Sequence, residues 1–331
     1  MKTVKLGRNG PAVSRAGLGC MAMAGVYGRS DRAENIATIH AAMDAGITLI
    51  DTGDFYGMGA NEMLIGEALR GRDRDKVVVS VKFGALRGPD GSWNGYDARP
   101  AALKNFLTYS LTRLGLDHVD IYRPARLDPN VPIEETVGAI ADLIEAGYVR
   151  HAGLSEVGAD TIRRAAAVHP VSDLQIEYSL IFRGIEKEIL PTCRELGIGI
   201  TAYGVMARGL ISGNWRKGKA TAQGDTRKGH PRFQGDNEEK NLAIAEAIGK
   251  AAAGIGCTTA QAAIAWVLSH GDDIVPLIGA RTRMQLEESL GALDLALSAE
   301  DLAAIEAAIP PEGGAGPRYN PQQLAMLDSE K

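Results

Sequence analysis

Short apolar runs and segments of helical spacing alternate eight times between Gly17 and Leu293, and this alternation constrains the fold more than any other feature. The runs are Gly17 to Met21, Ile47 to Ile50, Val77 to Val81, Val119 to Tyr122, Val149 to Leu154, Asp173 to Ile176, Ile198 to Ala202 and Asp273 to Leu277. Several lack a polar face, the pattern of strands covered on both sides. The helical segments are Glu34 to Ala45, Asn61 to Arg70, Pro100 to Leu114, Pro132 to Ala146, Ala159 to Val168, Glu186 to Leu196, Glu238 to Ala253, Thr259 to Leu268 and Met284 to Leu293. Proline at a helix start (Pro100, Pro132) and glycine behind its end (Gly115, Gly147) fix several boundaries. Eight such units, without an internal repeat or a linker, predict one (β/α)8 TIM barrel domain over residues 1–331. A doubly wound sheet fits less well, because no G-x-G-x-x-G follows the first strand.

Additions to the barrel are also readable. Val4 to Ser14 suggests an N-terminal β-hairpin turning at Asn9-Gly10. Gly209 to Asp236, after strand seven, is polar, glycine-rich and too long for an ordinary connection, which marks it as a functional loop. Two helices rather than one precede strand eight. Ser298 to Asp301 opens a further helix with a capping-box pattern. The last dozen residues are polar and are expected to be loosely held.

Composition excludes several function classes. The net charge is −5 with no block of like charges, which argues against nucleic-acid or anionic-membrane partners. Cys20, Cys193 and Cys257 are far apart, giving neither a disulfide framework nor zinc spacing. No run has the length of a membrane span and no signal-peptide core opens the chain, so a cytoplasmic location is expected. The six histidines show neither H-x-H nor H-x-x-x-H, so no metal site is expected.

The chemistry gathers at strand ends. Asp51 follows Ile47 to Ile50, Tyr56 lies five residues on, and Lys82 closes Val77 to Val81. In a parallel barrel these ends converge on one face. A phenol with a pKa near 10 is a poor acid at neutrality; a nearby ammonium lowers it, and a carboxylate keeps that ammonium charged. Such a set can protonate a carbonyl oxygen as charge develops on it. On residue types alone other readings stay open: Lys82 as a Schiff-base lysine, or Asp51 as a helix cap, Tyr56 as a loop anchor and Lys82 as an exposed side chain.

Several motifs in order extend the argument. They are Gly17-Leu18-Gly19-Cys20-Met21, Asp51-Thr52 with Tyr56-Gly57, Lys82, Asp128 to Thr136, Gly153-Leu154-Ser155, Gln175 to Ser179, and Gly279-Ala280-Arg281 with Gln285 to Glu288. With them the chain resembles the aldo-keto reductase family along nearly its whole length. The resemblance implies a barrel binding NADPH (NADH less so) across its C-terminal face and reducing a small aldehyde or ketone. It makes Tyr56 the general acid, tuned by Lys82 and Asp51. Gly19, Cys20, Met21 and Asp51 would lie along the cofactor. Ser155, Glu156 and Gln175 would hold the carboxamide and Tyr203 would stack on the nicotinamide. Gly204, Val205, Met206, Arg208 and Gly209 would follow the pyrophosphate. Ile278, Gly279, Ala280 and Arg281 would meet the 2′-phosphate, and Gln285, Glu288 and Ser289 the adenine. Ala125 and Arg126 join Tyr56 around the substrate, and Tyr27, Phe55 and Trp93 are candidate apolar walls for it, each equally readable as a packing residue.

The sequence also departs from the family pattern. The family's fourth catalytic group is a histidine at the end of strand four, where this chain has Ala125. Branches resembling pyridoxal reductases lack it too. The expectation is that Tyr56 donates its proton alone and that a bulkier substrate or water fills the space. His151 is a conceivable substitute, but its place near the start of strand five, toward the opposite end of the barrel, argues against it. A nicotinamide-binding regulatory module, as in the ion-channel β-subunits of this fold, is the alternative. Glu156 stands where asparagine is common, Gly204 where serine is, and Ser289 where asparagine is.

Overall fold

Gly17 shows why the first barrel strand is built of small residues: a Cβ there would lie 2.8 Å from Leu277 Cδ2 and 2.9 Å from Leu49 Cδ2. The computed structural model describes residues 1–218 and 224–331. Eight parallel strands close a barrel in chain order. They are β1 (Gly17–Gly19), β2 (Leu49–Gly53), β3 (Val78–Phe83), β4 (Val119–Pro124), β5 (Val149–Ser155), β6 (Val171–Glu177), β7 (Gly199–Tyr203) and β8 (Ile274–Ile278). Leu277 opposite Gly17 closes the ring.

Around it lie α1 (Arg32–Asp44), α2 (Ala60–Leu69), α3 (Pro100–Leu114), α4 (Ile133–Glu145), α5 (Ala159–Val168), α6 (Ile189–Leu196), α7 (Gly235–Ile255), α8 (Thr259–Ser269) and α9 (Arg283–Leu290). α10 (Ala299–Ala307) starts with the expected capping box, Ser298 with Asp301. A short α11 (Pro321–Leu324) follows.

Side chains alternate along each strand. Ile50, Val79, Val81 and Phe83 point outward into the core shared with the helices. Each fully buried aliphatic of this kind is worth about 1.5–3 kcal/mol. Leu49, Ile121, Val275 and Leu277 point inward and pack on Val4, Leu6 and Val13 of the N-terminal hairpin, which plugs the lower end. The hairpin pairs Thr3–Lys5 with Ala12–Ser14, but its turn differs from expectation. The loop is long, with Leu6 N–H donating to Pro11 O at 2.9 Å. Gly7, not Gly10, takes the left-handed backbone, φ 70. Its missing Cβ lets the turn approach Ser172 O, which a Cβ would meet at 2.2 Å.

Three further expectations are corrected. Asp51 and Lys82 lie inside β2 and β3 rather than past them, since those strands run on to Gly53 and Phe83. The segment around Trp93, where the sequence shows no strand-like run, is a second hairpin, Ala85–Arg87 with Trp93–Tyr96. The long segment after β7 is better anchored than its composition suggested. Trp215 and Phe233 are buried with ring centroids 4.8 Å apart, and Trp215 Nε1 donates to Glu238 Oε1 at 3.1 Å. Residues 219–223 of that stretch lie outside the described residues.

Candidate active site

The inward faces of β2, β3, β4, β6 and β7 change from apolar to polar one layer above the hairpin plug. Register places Asp51 opposite Ser80 and Gly53 opposite Lys82, so Asp51 and Lys82 meet inside the barrel. Lys82 Nζ donates to Asp51 Oδ1 at 2.5 Å, and both side chains are buried. The second carboxylate oxygen accepts from Gln175 Nε2 at 2.7 Å and Ser80 Oγ at 3.0 Å. Beneath it, Arg123 Nη2 donates to Ser80 Oγ at 3.0 Å and Arg123 Nη1 to Asp173 Oδ2 at 2.8 Å; Thr201 Oγ1 donates to the same Asp173 oxygen at 2.6 Å. A buried charge needs such satisfaction to persist. Ser80, Arg123 and Asp173 were not singled out in the sequence. The available signal was a charge inside an otherwise apolar strand, which is costly unless paired.

Tyr56 sits in the turn after β2, its N–H donating to Gly53 O at 3.0 Å. Its ring lies 5.1 Å from Lys82 Nζ and packs edge-on against Phe55, centroids 4.8 Å apart. The Tyr56 hydroxyl makes no hydrogen bond to another described residue. Burial, followed by the charge of Asp51, pushes its pKa well above the ordinary phenol value, and the opposing charge is that of Arg126. Lys82 is itself pushed down by burial against the pull of Asp51.

These groups open into one cleft of about 340 Å³, within the range of ligand pockets. Asp51, Phe55, Tyr56, Lys82 and Arg126 line its inner end together with Ser155, Gln175 and Tyr203. Gly19, Met21 and Tyr27 form one wall, and Gly204, Val205, Met206, Arg208 and Gly209 the other. Gly279, Arg281, Gln285, Glu288 and Ser289 line the far end. Cys20, Ile278 and Ala280 are buried behind these walls. Trp93 is more than one-third exposed and stands edge-on beyond Phe55, centroids 6.2 Å apart. Ala125 is buried, its backbone carbonyl accepting from Arg126 Nη1 at 2.6 Å, while Arg126 Nη2 donates to Tyr319 Oη at 3.3 Å. His151 lies at the lower end, as expected, where the Asn9 backbone bonds it.

Glu156 faces away from the cleft. Arg318 clamps it at two points, Nη1 to Oε1 at 2.8 Å and Nη2 to Oε2 at 2.6 Å; Tyr203 Oη and Ser329 Oγ also donate to it, at 2.6 and 2.7 Å. Burial pushes this carboxyl up, but Arg318 outweighs it and holds the pKa at about 2. The last residues are consequently not loose. Leu327 is buried, and Gly158 N–H donates to Asp328 Oδ2 at 2.9 Å.

Three observations fit a nicotinamide dinucleotide. Ser155 Oγ is buried at the cleft without a partner among the described residues, and such a hydroxyl requires one. Gly204, Ala207, Arg208 and Gly209 all take positive φ (69, 47, 58 and 89), which holds that wall in a tightly turned conformation. Gly204 replaces a side chain where φ disfavours one. Among the described residues, the Arg281 side chain, just before α9, donates only to the carbonyls of Tyr27, Gly28 and Arg29 at 3.2–3.4 Å; Asp225, which feels its charge, is paired with Arg227.

Comparison with known proteins assigns this barrel and its polar cleft to a family. The model of the aldo/keto reductase family matches residues 15–310. A "Probable aldo-keto reductase 1" of Glycine max is 44% identical over 322 residues, covering 96% of this chain and 92% of that protein. Among solved structures, the glycerol dehydrogenase of Gluconobacter oxydans superposes with a TM-score of 0.83 at 30% identity, over 92% of this chain and 94% of its own. An aldo-keto reductase of Bacillus halodurans in its holo form gives 0.77 at 25% identity, over 98% and 99%. The chain belongs to the aldo/keto reductase family. It is thus an oxidoreductase of a family that uses nicotinamide cofactors and reduces small carbonyl compounds.

Proposed function

We propose that this chain is an NADPH-dependent reductase of aldehydes or ketones in which Tyr56 is the general acid. The observation carrying this reading is the meeting of a free phenol hydroxyl, a buried Lys82–Asp51 pair and the unpartnered Ser155 hydroxyl at one end of one cleft. When bound, the nicotinamide supplies a hydride to the carbonyl carbon. Burial keeps Tyr56 protonated until negative charge develops on the substrate oxygen, which then takes the proton. Lys82 stabilises the phenolate left behind, and Asp51, held by Gln175 and Ser80, keeps Lys82 charged. Arg281, a cation with only carbonyl partners at the far end, supports NADPH over NADH.

The absence of a histidine at Ala125 favours the second reading, a cofactor-binding module with little turnover. Single-turnover oxidation of bound NADPH by a panel of aldehydes and quinones separates the two. Oxidation by any of them supports the reductase; none by all of them overturns it.

A further inference from the structure

Among the described residues, five side-chain cations line the cleft: Lys82, Arg126, Arg208, Arg227 and Arg281. Three have carboxylate partners. Lys82 is paired with Asp51, Arg227 with Asp225 at 2.6 Å, and Arg208 faces Glu177 Oε2 at 3.6 Å. Among the described residues, Arg126 and Arg281 have none. The two stand at opposite ends of the cleft, and Arg281 is accounted for by the cofactor reading.

Arg126 is held in place by neutral groups; the nearest carboxylate whose charge it feels, Glu156, is already clamped at both oxygens by Arg318. Its partners are the Ala125 carbonyl and the Tyr319 hydroxyl. A guanidinium carries five N–H groups, so these two bonds leave donors over. Three phenols, Tyr96, Tyr203 and Tyr319, lie near it, and Tyr27, Phe55 and Tyr56 line the same cleft. Its charge is felt at Tyr56, where it opposes the effect of burial. A fixed cation with spare donors beside flat apolar walls is a receptor for a planar anion, and an arginine fork matches a carboxylate in particular.

Resting on the reductase reading, we propose that Arg126 receives an acidic group of the substrate. The preferred substrates are then carbonyl compounds that also carry a carboxylate or a comparable anion, aromatic ones foremost. Tyr56 meets the carbonyl oxygen and Arg126 the anion.

The test uses the full chain and two readouts. The first is kcat/KM for the three isomeric carboxybenzaldehydes against their methyl esters. The best acid should exceed its ester at least tenfold, mainly through KM, and Arg126→Gln should remove that ratio. The second is binding of the carboxybenzyl alcohols and of benzyl alcohol to the NADPH-loaded protein, in which no hydride can be accepted. Wild type should bind the best acid at least tenfold more tightly than benzyl alcohol. Arg126→Gln should bring the two within about threefold, and Arg126→Lys should restore part of the difference. Equal binding of acid and neutral alcohol by the wild type, or an acid preference that survives Arg126→Gln, overturns the proposal. If no aldehyde is reduced at all, the reductase reading falls, while the alcohol titrations still decide the role of Arg126.

Discussion

Arg318 and Glu156 form a two-point ion pair, 2.6 and 2.8 Å, with both side chains almost completely buried. It ties the C-terminal residues to the end of β5, directly behind the cleft. The Tyr203 hydroxyl joins the same carboxylate and also meets Tyr319, at 3.0 Å. One face of the site is therefore assembled from residues more than a hundred positions apart.

Removing one partner of that pair should be more damaging than removing both. Arg318→Met would strand a buried carboxylate, at a cost of about 3–5 kcal/mol. Adding Glu156→Gln should recover much of the loss. Urea unfolding gives the stability, and protease cleavage within residues 318–331 reports release of the tail. An unchanged midpoint and no new cleavage in Arg318→Met would remove the lock from the account.

Tyr56→Phe deletes the free hydroxyl while keeping the ring packed on Phe55. Turnover should fall by about two to four orders of magnitude, the range of a lost general acid. The dissociation constant for NADPH should stay within about threefold. Stopped-flow kinetics and fluorescence titration measure the two separately, and retained turnover would point to another proton source.

Arg281→Ala should discriminate between cofactors. Loss of a charge-assisted bond of about 1.5–3 kcal/mol predicts roughly tenfold to hundredfold weaker NADPH binding. NADH, lacking the 2′-phosphate, should be nearly unaffected. Equal effects on both would show that Arg281 only braces the loop from Tyr27 to Arg29.

Two carboxyl groups should give opposite pH signatures. Burial, then the charge of Glu62, raises Asp54 from 3.8 to about 7. An acid raised in the folded state favours folding at low pH, and its contribution is lost as pH climbs from about 4 through 7. Asp54→Asn should flatten stability over that window by about 1–2 kcal/mol, allowing for solvent screening. Glu156, held at about 2 against an ordinary 4.5, stabilises above that ordinary value and loses its contribution as pH falls toward 2. Melting temperatures between pH 3 and 9 would reveal both slopes; an Asp54→Asn profile parallel to wild type would refute the first.

The barrel was legible because its evidence is local. Apolar runs, proline starts and glycine ends lie within each β-α unit, and predicted helix boundaries such as Pro100 to Leu114 match those observed. Asp51, Tyr56 and Lys82 were legible because strand ends converge in a parallel barrel. Features set by tertiary partners were not. Polar residues near the C-terminus suggested a loose tail, and only Glu156 and Gly158, far back in the chain, explain why it docks. The hairpin around Trp93 was hidden by its turn, where Gly88 N–H donates to Ser92 O at 3.0 Å amid loop-like composition. Ala125 was expected to leave space, yet it is buried, and residue size alone could not show that.

The polar layer under the cleft has a consequence for how sequence variation in this enzyme should be interpreted. Asp173 lines no part of the cleft, yet it holds Arg123, which holds Ser80, which holds Asp51. A screen that isolates folded but inactive variants should therefore return changes at Asp173 and Thr201 together with those at Tyr56. Sorting mutations by distance from the substrate would misfile them as structural.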